Sequence, residues 1–297
     1  MKRLILLVAT CALYVSASAQ NDSISIKKSN DTIRIGGILI IKRGDKNKKD
    51  SSFNSNTDGT TVVIGRKNNK RNQKVTTSWF NLDLGFANYN DKTDYTNTGS
   101  YLVNRPGSPA FGKDDFKLRA GKSINVNFWF FMQRLNIIKT NVSLKYGLGL
   151  ELNNYRYKSA ISYKEPGNLP YGGGLTNASY IFRDSIAFSK NKLAADYLTV
   201  PFMITFATNH AANKKGLILS AGVSAGYLYS QRNKQKSSER GKERNKGDYD
   251  LEKFKFSYIG ELGLGPVKLY GSYTPKSIYE HSLDIRPFTL GFRFSNL

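Results

Sequence analysis

Few residues in this chain are equipped for chemistry. It has two histidines, His210 and His281, and one cysteine, Cys11, among 297 residues. A zinc site or a nucleophile–base–acid triad needs several such groups brought together, so two separated histidines support neither. The run Glu280-His281-Ser282 holds the residue types used in ester hydrolysis. Neighbours on an extended chain point to opposite faces, so this trio is not preassembled, and the simpler reading of His281 is a solvated loop histidine. Gly172-Gly173-Gly174 lacks the following lysine of a phosphate cradle and reads as a hinge. Catalytic, cofactor and metal sites are therefore expected to be absent, and the protein is read as a non-enzyme.

Charge is the stronger signal. Lys and Arg outnumber Asp and Glu by 45 to 22, a formal net charge of +23. Such a chain favours anionic neighbours. Helix-turn-helix and zinc-finger spacings are missing, which argues against nucleic acid and leaves lipid headgroups, lipopolysaccharide and acidic glycans. Arg232 to Asp250 carries seven basic and four acidic residues. It could grip lipopolysaccharide phosphates or an acidic polymer, but its mixed signs favour a solvated, mobile loop.

The opening residues fix a compartment. Lys2 and Arg3 precede an apolar run from Leu4 to Val15 and an Ala17-Ser18-Ala19 cleavage site, the order of a secretory signal peptide over residues 1–19. Cys11 lies within it, so the exported chain has no thiol. Removing Lys2 and Arg3 leaves 23 − 2 = +21. Residues 20–77 form a basic periplasmic arm, with 13 Lys/Arg against 5 Asp (+8) and short β-like runs at Ser23 to Ile26, Thr32 to Ile41 and Thr60 to Ile64. The middle run can close as a hairpin at Gly36-Gly37. An isolated hairpin is marginal in water, so the arm is expected to be largely disordered unless it docks on a periplasmic partner.

Residues 78–297 read differently. Phe80, Leu82, Leu84 and Phe86 alternate with polar or small residues, and so do Val142 to Leu152, Leu198 to Phe206 and Leu217 to Tyr227. A period of two means strands. A second strand spans Leu118 to Phe130, and strands from Phe254, Val267 and Phe288 bring the total to about eight. Pro201 has no N–H to give to a ladder, so a bulge or a break in pairing is expected there. Long connections follow the odd strands and short ones the even strands. That is the loop pattern of an up-and-down transmembrane antiparallel β-barrel with both termini on the turn side.

The polar face of these strands would then line the lumen. It carries Asp83, Glu151 and Glu261 with Arg119, Lys145, Lys255, Lys268 and Arg293, opposite charges that can pair in a narrow interior. Tyr89, Tyr155, Tyr157, Tyr197, Tyr227, Tyr229 and Tyr258 gather near loop-side strand ends, as an aromatic girdle would.

The signal peptide, the Asp31 to Gly36 run and the Tyr197-Leu198-Thr199-Val200-Pro201-Phe202 strand resemble the PorT-like outer-membrane β-barrel family of Bacteroidota, with the match extending from Trp79 to Leu297. The ending from Phe288 is similar to an assembly signal read by the barrel-insertion machinery, with Leu297 in place of the usual aromatic. The resemblance implies an integral outer-membrane protein, non-enzymatic, serving as anchor, structural or assembly component. Some members of that family serve type IX secretion. Two competing readings stand beside it: an outer-membrane lipid hydrolase using His281, and a secreted soluble β-barrel with an apolar ligand inside.

Overall fold

The computed structural model describes residues 32–35, 38–41, 61–64, 74–138, 141–208, 216–263 and 267–295. The signal peptide, the Ser23 to Ile26 run, His210 and Leu297 lie outside them. The chain divides into Met1–Arg71 and Asn72–Leu297. In the first unit, Thr32–Ile35 pairs antiparallel with Ile38–Ile41, and Thr61–Ile64 adds a third strand to Ile38–Ile41; the expected turn at Gly36-Gly37 lies outside the described residues.

The second unit is built on eight long strands: β1 (Val75–Asp91), β2 (Ile124–Ile138), β3 (Val142–Arg156), β4 (Lys190–Ala207), β5 (Ile218–Ser237), β6 (Phe254–Gly263), β7 (Val267–Tyr273) and β8 (Ile285–Phe294). Each pairs antiparallel with its sequence neighbours, and β8 pairs with β1, so the ring is closed. Closure leaves no free edge among these strands, which is what lets a sheet stand in lipid. The even-to-odd connections are short, at 139–141, 208–217 and 264–266, while 92–123, 157–189, 238–253 and 274–284 are long.

The pleat sorts the residues as the alternation requires. Phe86, Leu290, Phe292 and Phe256 are more than half exposed on the outside, whereas Asp83, Asn153 and Lys268 are fully buried within. Leu219 to Tyr229 on β5 covers about 25 Å of height at about 3.3 Å per residue and a tilt of about 40°. That matches the apolar band of an outer-membrane barrel. A soluble barrel would carry its apolar face inside, so the secreted ligand-binding reading is overturned.

Local irregularities have local causes. Pairing of β4 with β3 lapses across Val200 and Pro201 while β4 stays paired with β5, because proline lacks the donor that one ladder needs. Phe80 takes a positive φ of 55° and is skipped opposite Phe130. The shift turns both Trp79 and Phe80 outward, where they meet Phe131 and Phe128 as an aromatic belt on the turn side. The second strand begins at Ile124 and not at Leu118. Residues Ala120–Lys122 form a short 3-10 turn, and Leu118 bridges to Tyr157 beyond the end of β3.

Candidate functional site

Four strands converge on one ion cluster inside the barrel. Arg293 of β8 forks onto Asp83 of β1, Nε to Oδ1 and Nη2 to Oδ2, both at 2.6 Å. Its Nη1 also reaches Glu261 of β6, and Glu261 accepts the Lys145 ammonium of β3 at 2.6 and 2.9 Å. Asp83 takes two further donors, Trp129 Nε1 at 2.7 Å and Asn127 Nδ2 at 3.0 Å. The guanidinium lies over the Trp129 and Tyr270 rings. A second cluster pairs Lys255 with Glu151, with Lys255 over the Tyr197 ring and Asn153 donating to Glu151 at 3.0 Å.

Buried charges persist only when paired and hydrogen-bonded, and these are both. Lys268 lies near the end of β8, its Nζ approaching Ser295 Oγ at 3.3 Å. Arg119 does not belong to the lumen at all. It caps the 3-10 turn, half-buried, and its N–H donates to the Arg156 carbonyl at 2.7 Å, because the strand it was expected to occupy starts five residues later. A lumen cavity lined by Trp129, Glu151, Tyr270 and Arg293 has a volume of only about 20 Å³, room for one water.

Above the strands the long connections close over the barrel mouth. The Tyr180–Arg183 strand pairs antiparallel with Ile161–Lys164 and parallel with Leu102–Val103, joining two different connections. Arg183 forks onto Asp115 at 2.7 and 2.9 Å, and Arg240 reaches Asp184 at 2.9 Å. Their shared core is aromatic: Tyr101, Phe116, Tyr157, Tyr163, Tyr249 and Tyr279 pack with Tyr155 and Tyr197. The hydroxyls of Tyr157, Tyr163 and Tyr279 form a chain with both links at 2.6 Å. Burial pushes the Tyr157 hydroxyl up to about 12, so the chain stays protonated at neutral pH.

This corrects two expectations. Tyr155, Tyr157 and Tyr197 point inward and Tyr89 packs against the same core, while Tyr227, Tyr229 and Tyr258 face out as a girdle does. Strand parity already contained this, since Tyr155 and Tyr157 share a face with Glu151 and Asn153. The segment from Arg232 is no mobile loop either: β5 runs on to Ser237 and Gly241–Lys246 pairs back along it. The pleat provides the signal that composition hid, because Arg232, Lys234 and Lys236 alternate with the buried Asn233, Gln235 and Ser237.

His281 lies at the rim of an open groove of about 680 Å³, its Nδ1 2.8 Å from Asp250 Oδ1. That hydrogen bond and the Asp250 charge raise the imidazole above its usual range. Asp250, Glu280 and His281 could present ligand atoms within 4.8 Å of one another, as exposed groups commonly do. Ser282, with φ 61°, follows directly in the chain, and no hydrogen bond joins its hydroxyl to the ring among the described residues.

A closed eight-stranded ring, apolar outside and ion-paired inside with aromatic belts, defines a transmembrane β-barrel. Residues 19–295 match the model of the outer membrane protein beta-barrel domain, and the chain belongs to that family. Its place is the outer membrane. Comparison with curated proteins gives no match.

Proposed function

We propose that the protein is a closed, non-enzymatic scaffold of the outer membrane, an anchor and assembly component that presents its cap outward and the basic arm, residues 20–77, to a periplasmic partner. The observation that carries this reading is the double closure of the barrel. Interlocked charges leave a lumen cavity of about 20 Å³, and the tyrosine-cored cap covers the mouth. A filled barrel offers its surfaces and not a channel. The resemblance to PorT-like proteins supports the finer reading of a secretion-related role, and the arm's +8 balance favours acidic partners held in a salt-sensitive way.

Two measurements test the reading. Reconstituted in planar bilayers, the protein should give no steady conductance; persistent channel steps would overturn the closed scaffold. Deleting residues 20–77 should leave a heat-modifiable barrel that has lost its co-purifying proteins, and an unchanged set of partners would remove the arm from the proposal. The Asp250–His281 hydrogen bond favours one second reading, a surface lipid hydrolase. Lipid deacylation that disappears in His281→Ala would put that reading first.

A further inference from the structure

The outward face of the sheet above the lipid band carries a lattice of cations with few carboxylate partners, although Arg156 Nη2 donates to the Ser189 carbonyl at 2.8 Å and Lys192 to Asn154 Oδ1. Register places Lys192 of β4 beside Arg156 of β3 and Lys234 of β5, and Lys234 beside Arg244 of the Gly241–Lys246 strand. Arg119 extends this row on the other side, bonded through its N–H to the Arg156 carbonyl. Two residues further out runs a second row. Lys236 lies between Lys190 and Lys242, and Lys158 and Lys117 continue it through the bond from the Lys158 N–H to the Lys117 carbonyl.

Each row crosses five chain segments, about 19 Å at about 4.8 Å per strand, and the rows stand about 7 Å apart. Like charges placed directly opposite across strands destabilise a sheet. Among the described residues of these segments, Asp196, bonded to Arg232, and Asp114, 2.7 Å from Lys117, are the carboxylates on this face. Glu243 lies opposite Gln235, whose side chain is buried on the inner face. Ten cations arrayed on one face with so little compensation fit a polyanion.

Height selects the polyanion. The last exposed large apolar side chain on β4 is Leu198, and Lys192 and Lys190 lie six and eight residues beyond it. At about 3.3 Å per residue and a tilt of about 40°, the rows stand about 15 to 20 Å above the hydrocarbon. A phospholipid headgroup layer is about 5 to 8 Å thick, so its phosphates lie below the rows. The sugar-phosphate layer of a glycolipid reaches them.

We propose that this face binds the phosphates of a phosphorylated glycolipid of the outer leaflet, a lipopolysaccharide-type core, clamping the barrel laterally to its lipid neighbours. The site uses no residue of the arm or of the lumen, so it stands or falls independently of the scaffold reading.

The test uses the full-length protein in detergent and four probes: phosphorylated lipopolysaccharide, the same glycolipid with its phosphates removed, inorganic phosphate, and a phosphate-free acidic polysaccharide. Wild type should bind the first most tightly, with affinity falling steeply as salt rises. The triple variant Lys190→Gln, Lys236→Gln, Lys242→Gln removes three exposed side chains and should bind about tenfold or more weakly with heat-modifiability intact. Lys192→Gln with Lys234→Gln and Arg244→Gln should act alike; should it not fold, the exposed row decides. A control triple of exposed cap lysines, Lys113, Lys164 and Lys276 to Gln, should bind as wild type. Equal binding of the dephosphorylated glycolipid, displacement by inorganic phosphate at matched concentration, preference for the polysaccharide, or equal loss in the control would each overturn the proposal.

Discussion

Replacing Arg293 with methionine isolates the energetics of the lumen. The wild-type guanidinium makes two bonds of 2.6 Å to Asp83 and a third to Glu261, with its arginine only 3% exposed. In Arg293→Met, Asp83 keeps only Trp129 and Asn127 as donors, and Glu261 keeps Lys145. Breaking a buried pair by removing one partner costs about 3 to 5 kcal/mol, because the other charge stays behind without compensation. Lost stacking on Trp129 and Tyr270 adds about 1 kcal/mol, and burial of the methionine side chain offsets part of the total. The expected loss is about 4 kcal/mol. For a domain of this size that is a fall of about 8 to 16 °C in the unfolding midpoint. Urea unfolding in lipid vesicles, followed by gel mobility and by Trp129 emission in a Trp79→Phe background, reads it directly. Adding Asp83→Asn should recover part of the loss, giving a coupling of about 2 kcal/mol. A loss below about 1 kcal/mol, or strict additivity with Asp83→Asn, would mean that water already solvates these groups and that the lumen is not closed.

The two faces should respond in opposite ways. Leu148→Arg on the lipid side should cost about 2 to 4 kcal/mol in assembly, against about 1 kcal/mol for Ser257→Ala, which loses only the 2.8 Å contact with Thr274; equal costs in a vesicle-folding titration would reverse the assignment. Gly147→Ser, though on the lumen side, should be strongly impaired, since a Cβ there would sit 2.5 Å from the Phe131 carbonyl; normal yields of folded barrel would count against that close approach. Tyr163→Phe breaks both links of the hydroxyl chain and should open the cap to protease on intact cells with the barrel undisturbed. For His281 the folded pKa is raised, so its contribution to cap order is complete below the ordinary imidazole range and fades as pH rises through the raised value. Protease cleavage near 276–283 should therefore quicken toward alkaline pH in wild type, and His281→Ala should abolish that dependence.

Strand period, loop alternation and the polar identity of one face were legible in the residues themselves, because a pleat with a period of two writes burial directly into sequence. Of the eight charges expected in the lumen, the seven that are buried there follow from parity alone. Arg119 does not, since Gly121 and the demand of Leu118 for the cap core end the regular strand there, and a local pattern carries no record of a distant core. The tyrosines show the same division. Parity puts Tyr155 on the inner face, but that loops fold inward to pack against it there is a property of the tertiary structure. Pairing partners in the lumen, such as Arg293 with Asp83, are 210 residues apart, and only ring closure brings them together. The basic rows are the clearest case: Arg119, Arg156, Lys192, Lys234 and Arg244 share no motif in the chain. Sequence determined which residues are cations; register between strands, a property of the closed sheet, aligned them into one surface.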